Sequence, residues 1–199
     1  MTAYKKILIG FVCAAFSLSV NAGIIFESNF DTEAGPAGSS ALNYTGFTNW
    51  TVSDGTVDVV ATSNPWGITC AGGTGKCVDL DGSTGDAGKL TSDMLSLAAG
   101  DYLLSFDISG NQRGGSDYMQ MSLGGYVNET FNLNASAGWM TITHLFTVTS
   151  SSNDFVVFNQ QISLKPESVP YAAFSQAKNK PFALFQKNAN YLKVNANNG

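Results

Sequence analysis

Tyr102-Leu103-Leu104-Ser105-Phe106-Asp107-Ile108 is the stretch that decides the fold of this chain. Tyr102, Leu104, Phe106 and Ile108 fall on one side of an extended backbone, with Ser105 and Asp107 on the other. This alternation of period two belongs to a half-buried β-strand. The same period recurs on either side of it. Met119, Met121 and Leu123 share a face, Val127 to Leu133 follows the turn at Gly124-Gly125, and Trp139 to Val148 forms a long strand. Phe155 to Phe158 is apolar on both faces, as in a buried strand. Upstream, Ile24 to Phe26, Lys76 to Asp81 and Lys89 to Ser92 read as strands, and Asn49 to Ser53 and Thr56 to Thr62 flank Asp54-Gly55. That dipeptide predicts a two-residue hairpin. About ten short strands separated by turns predict an all-β, two-sheet antiparallel sandwich of jelly-roll type over residues 23–164.

Composition agrees. Charged residues are sparse at 13% while Gly is abundant at 21 residues, the balance of an extracellular β-protein with many tight turns. Residues 1–22 read as a signal peptide, with Lys5 and Lys6 ahead of the apolar run Ile7 to Val20 and Val20-Asn21-Ala22 suited to cleavage after Ala22. The run is shorter than the about 20 apolar residues that span a bilayer, and no other stretch could serve as a transmembrane anchor. The expected destination is therefore outside the cytoplasm: periplasm, cell surface or medium. Between Gly23 and Leu164, 14 acidic residues against three basic ones leave a net charge of −11. Such a surface repels phosphate backbones and excludes nucleic acid as a partner.

Cleavage removes Cys13 and leaves Cys70 and Cys77 in the Gly-rich run Cys-Ala-Gly-Gly-Thr-Gly-Lys-Cys. An exported setting favours their oxidation to a disulfide, and a zinc site lacks a nearby third Cys or a His.

The chain changes character at Lys165. From there to Asn198 there is no Gly, and Lys165, Lys178, Lys180, Lys187 and Lys193 face only one acidic residue, Glu167. Residues 165–199 read as a basic tail, loosely ordered and separable from the domain. A helix from Pro181, with Phe182, Phe185, Ala189 and Leu192 on one side, is the other reading.

Three strings in the core carry a resemblance. Leu42-Asn43-Tyr44-Thr45-Gly46-Phe47 leads to Asn49-Trp50-Thr51-Val52 and Asp54-Gly55-Thr56-Val57-Asp58. Val78-Asp79-Leu80-Asp81-Gly82-Ser83-Thr84-Gly85 is the second, and Leu104 through Gly114 the third. Together they resemble the exported bacterial PEP-CTERM-type surface and exopolysaccharide-associated proteins. The resemblance implies a galactose-binding-like β-sandwich, an envelope or extracellular-matrix setting, and carbohydrate as a ligand. Members of that family close with a Leu-Asp-Asp-Val strand, Pro-Glu-Pro, an apolar helix and a basic end. Here Asn159 to Leu164 runs straight into the Lys-rich stretch, as a replaced or frameshifted end would, which would leave the sheet one strand short.

No nucleophile motif accompanies His144, the only histidine, so no hydrolytic triad is expected and the protein reads as a non-enzyme. Asp79, Asp81 and Asp86 are the best polar constellation. Asp79 and Asp81 share a strand face, and Gly82 and Gly85 let the chain return Asp86 toward them, as a weak extracellular calcium site would require. The plainer reading is a solvated, Asp-capped turn. Trp50, Trp66 and Trp139 are the candidates for stacking on sugar rings. Trp50 opens a strand and is expected in the core; Trp66, in the loop before Cys70, is the expected ligand contact, with Tyr118 extending a platform. Two functions follow: an exported module that binds polysaccharide, or a purely structural surface or biofilm protein with no small-molecule site.

Overall fold

The computed structural model describes residues 23–84, 86–160, 183–184 and 193–197; the leader expected at residues 1–22 lies outside them. The strands in chain order are β1 (Gly23–Ile24), β2 (Trp50–Ser53), β3 (Asp58–Ala61), β4 (Lys76–Asp79), β5 (Lys89–Ser92), β6 (Leu95–Leu97) and β7 (Gly100–Ile108). They continue with β8 (Ser116–Leu123), β9 (Val127–Asn134), β10 (Met140–Val148), β11 (Ser152–Asp154), β12 (Val156–Asn159), β13 (Ala183–Leu184) and β14 (Lys193–Asn197). A seven-stranded sheet runs β1-β14-β7-β13-β4-β3, with β10 along the other side of β7. A five-stranded sheet runs β2-β5-β12-β8-β9, and β6 pairs with β11 as a separate ribbon. The strands pair antiparallel throughout. The fold is all-β.

The alternation in β7 does what its pattern requires. Tyr102, Leu104, Phe106 and Ile108 are between 0 and 3% exposed and meet Met119, Met121, Leu123, Val156 and Phe158 of the facing sheet in one core. Phe106 is central: its ring lies 5.4 Å from that of Phe158 and 6.0 Å from that of Phe131, both edge to face. Such pairs add about 0.5–1.5 kcal/mol beyond the area they bury. Trp50 joins this core at 4% exposure and donates from Nε1 to Ser28 Oγ.

The hairpin expected at Asp54-Gly55 does not form. β2 pairs with β5 in the five-stranded sheet, whereas β3 pairs with β4 in the seven-stranded one. The dipeptide instead carries the chain between sheets, with Asp54 at φ 61° and Gly55 at φ 158°. Only Gly fits there, because a Cβ would lie 2.2 Å from the carbonyl oxygen of Ala87. Thr56 N–H donates to Asp86 O at 2.9 Å and fixes the crossing, and Lys89 pairs with Asp54.

The stretch from 165 onward is corrected in part. Where a helix or an irregular tail is expected, residues 183–184 and 193–197 are strands of the larger sheet. β14 pairs with Asp101 to Ser105 of β7, and β13 bridges β7 to β4. The rest of the tail lies outside the described residues.

The open side of the sandwich is formed by β9 and β10. Glu129 and His144 point inward from these two strands, and their Oε2 and Nε2 atoms are 2.7 Å apart. The imidazole also lies parallel to the Phe106 ring at 6.3 Å. His144 is thus a link between sheets.

Candidate functional site

The side chains of most interest lie on the outer face of the seven-stranded sheet, where β3 and β4 are joined by residues 62–75. Val59 and Val78 face the main core, so Val60 and Cys77 face outward, beside each other in register. The loop folds back over them. Cys70 is bonded to Cys77 with Cα atoms 5.6 Å apart, and Val60, Ile68, Cys70 and Cys77 make a second small core, each at most 1% exposed. Asn64 shapes the loop. Its Oδ1 accepts from Trp66 N at 2.8 Å and Ile68 N at 3.3 Å, while Nδ2 donates to Ala61 O at 2.7 Å and Ile68 O at 2.5 Å. A side-chain amide is here replacing sheet bonds, as Asn does in tight turns.

Trp66 and Trp139, both half-buried, pack against this small core. Trp139 Nε1 donates to Thr69 O at 2.7 Å. Gln112 reaches the same residue twice, accepting from Thr69 N and donating to Thr69 O, both at 2.9 Å. Gln112 does so from a left-handed backbone, φ 60°, an arrangement that costs energy and persists where surroundings enforce it. The enforcement comes from buried Asn111, which accepts from Arg113 N and Gly114 N and donates to Gly114 O and Asp117 Oδ2. Three separate segments thus meet at the Thr69 backbone and hold two indoles on one face.

A row of carboxylates lies on the same outer face. Asp58 and Asp79 are side by side in the β3–β4 register, buried at 4 and 1% exposure. Asp58 accepts from Asn43 N and Ser83 Oγ, both at 2.6 Å. Asp79 Oδ1 accepts from Asp81 N at 3.1 Å, and Arg113 approaches Asp79 Oδ2 at 3.9 Å. Burial, then the charges of Asp117 and Asp58, push the Asp81 carboxyl up to about 6, with Arg113 opposing. Asp107 of β7 is raised by burial, partly offset by the hydroxyl of Thr141, which donates at 2.5 Å.

The expected calcium trio is not assembled. Asp79 uses an oxygen to hold the turn at Asp81, while Asp86 is exposed and engages Thr56 N through its carbonyl. Among the described residues no three His, Cys, Asp or Glu side chains converge in a group that could hold a metal ion. Nor does one platform unite Trp66 with Tyr118. Tyr118 alternates with buried Met119 and Met121 on β8 and so lies on the outer face of the five-stranded sheet, the opposite broad side of the sandwich. Its place beside Trp66 is taken by Trp139. Gln112 and Thr69 gave no motif in the sequence; the only signal was the turn-rich run around Gln112.

The loop also walls an open groove of 710 Å³ on its other side, lined by Asp31, Gly38, Thr62, Ser63, Thr74 and Lys76 among others. Its lining carries no aromatic ring. Beneath it the Lys76 ammonium is buried and donates to Glu33 O and Gly35 O, a role in anchoring the 33–35 turn.

No protein-family model matches the chain, and no curated protein matches it. Solved structures do. The tandem CBM22-1–CBM22-2 domain of Paenibacillus barcinonensis Xyn10C is similar with a TM-score of 0.50 and 11% identity over 92% of this chain. The chain spans about half of that tandem, 47%. The CBM22-1 xylan-binding domain of the same enzyme aligns at a TM-score of 0.44 and 11% identity, over 83% of this chain and 97% of its own. A carbohydrate-binding module of Cellvibrio mixtus lichenase 5A, in complex with cellotriose, aligns at 0.38 and 14% identity, over 80 and 97%. The fold is thus a β-sandwich of the kind found in carbohydrate-binding modules. Among the described residues no helix is long and apolar enough to cross a membrane.

Proposed function

We propose that this protein is an exported, non-catalytic module of the cell envelope or its matrix that binds polysaccharide on the outer face carrying Trp66 and Trp139. The observation that carries the reading is the convergence of both half-exposed indoles on a disulfide-held loop, with the polar groups of Thr69 and Gln112 at the surface beside them. Sugar rings offer an apolar face and a polar edge, and this surface offers the complement of each. The fixed loop lowers the ordering cost of binding. The likeness in fold to carbohydrate-binding modules supports the ligand class, and the disulfide supports an oxidising compartment. The resemblance to exopolysaccharide-associated surface proteins supports the setting.

Affinity electrophoresis through gels containing neutral polysaccharides tests this. Retardation of the wild type should be lost in Trp66→Ala and Trp139→Ala. Truncating a Trp anchor costs about 2 kcal/mol, roughly thirtyfold in Kd. Tyr118→Ala, on the opposite side, serves as the control. A wild type retarded by no polysaccharide would leave the purely structural reading standing.

A further inference from the structure

We propose that the free edge of β10 is a self-association surface, on which a second copy of this chain pairs β10 to β10 antiparallel. β10 bonds to β7 along all nine residues, and no described strand pairs its other side. The strand Met140-Thr-Ile-Thr-His-Leu-Phe-Thr-Val148 has no Lys, Asp, Glu or Pro. Those are the residues by which sheet edges are normally kept from pairing. Its outer side is well exposed, Leu145 to 76%.

A second copy is the occupant for two reasons. Charge is the first: residues 23–164 are strongly acidic, and two copies meet with least repulsion along a strand that carries no acidic residue of its own, as β10 does not. Three acids stand beside the strand, none of them on it: Glu129 on the inner side, next to His144, and Asp101 and Asp107 one strand back, held there by Thr147 Oγ1 at 2.6 Å and Thr141 Oγ1 at 2.5 Å. With both of these hydroxyls turned to β7, the outward side is left with their methyl groups, Thr143 and Leu145. The second reason is register. Of the pairings that keep like faces together, the one centred on His144 joins all nine residues. It sets Thr141 opposite Thr147, a β-branched pair that favours a sheet, and Thr143 opposite Leu145 of the other copy. The inward His144 side chains meet at the two-fold axis, each with its own Glu129 beside it.

The pairing extends one sheet through both copies and places the two Trp139 residues on the same broad face. Each is five residues from the axis, so they stand about 34 Å apart along the strands. On the reading above, that separation suits two contacts on one extended polysaccharide, with a gain in avidity.

Light scattering coupled to size exclusion, up to high-micromolar concentrations, should show a monomer–dimer equilibrium for the wild type. The doubly substituted Thr143→Lys, Leu145→Lys protein should be monomeric throughout with an unchanged melting temperature, since both positions are exposed. Register is read separately by mixing Thr141→Cys with Thr147→Cys under oxidation. The mixture should cross-link and neither variant alone should, because only 141 and 147 face each other. A wild type that stays monomeric at all concentrations overturns the proposal, as does cross-linking of either single variant as efficient as that of the mixture. Neither outcome depends on whether a sugar binds.

Discussion

Replacing both Cys70 and Cys77 with Ala separates the two jobs of the disulfide. The bond closes a segment with a sequence separation of 7, and the loop-closure expression for so short a loop gives about 2.4 kcal/mol at room temperature. Both cysteines are 0% exposed and make up two of the four residues of the small outer core. Losing the two Sγ atoms therefore adds a packing cost of about 1 kcal/mol. Together these should lower the melting temperature by about 10 °C for a domain of this size. Thermal unfolding followed by circular dichroism would measure it, with reduced wild type as the second arm. The main core between the sheets shares no residue with the outer cluster, so the variant should still unfold cooperatively. Indole fluorescence should redden, because Trp66 and Trp139 lose the surface they pack on. A variant with wild-type melting temperature and unchanged fluorescence would refute the idea that the disulfide fixes this loop.

Two further outcomes are expected. Folding raises the Asp81 carboxyl from 3.8 to about 6, so the folded chain holds more protons than the unfolded one between those values. Stability should fall as pH rises through that window. Asp81→Asn should therefore melt higher than wild type at pH 7 and no higher at pH 4; an equal difference at both values would contradict the burial argument. A chain ending at Gln160 loses β13 and β14, which leaves β7 open on one side, separates it from β4 and strips β1 of its partner. It should be poorly soluble or melt well below the full chain, as an exposed central edge predicts. A truncated protein as stable as the whole would restore the separable tail that composition suggests.

Much of the sandwich is legible in the sequence because period two is a property of single strands. β7 and β8 can be read from alternation alone, and Trp50 from its place on a strand. Pairing is a different matter. Asp54-Gly55 has the local chemistry of a hairpin, yet β2 and β3 part because β5 and β4 offer each a better partner in different sheets. Parity likewise assigns a side chain to a face of its own sheet and says nothing of which sheet. Trp66 and Tyr118 therefore both read as surface aromatics while standing on opposite sides. The short β6 and β11 have no pattern long enough to detect. The join at Thr69 depends on backbone groups met by Gln112 and Trp139 from 43 and 70 residues away, a contact no local motif encodes. Residues 183–184 and 193–197 lack strand-forming composition, and are strands because β7 has a side to fill.

The charge of the proposed binding face sets a limit on what it can hold. Asp58, Asp79, Asp81 and Asp107 lie on that face or at its edge, Asp117 acts on Asp81 from nearby, and Arg113 is the cation among them. The Asp58 and Asp107 carboxylates are held in place by Asn43, Ser83 and Thr141, so their charges cannot turn away from an incoming ligand. Asp58, Asp79 and Asp107 are buried, so they set the sign of the field at this face and do not bond a ligand directly. A glycan bearing uronate or sulfate would bring like charge against residues 23–164, whose net charge is −11, and gain nothing in return. Retardation should therefore appear with neutral chains such as xylan or β-glucan and be absent with alginate or a sulfated galactan at low salt. Added salt should leave the neutral interaction unchanged, since no ion pair forms in it. Tight binding to an anionic chain that weakened with salt would point to the Lys-rich residues beyond 165 as the contact, and would remove the outer face from consideration.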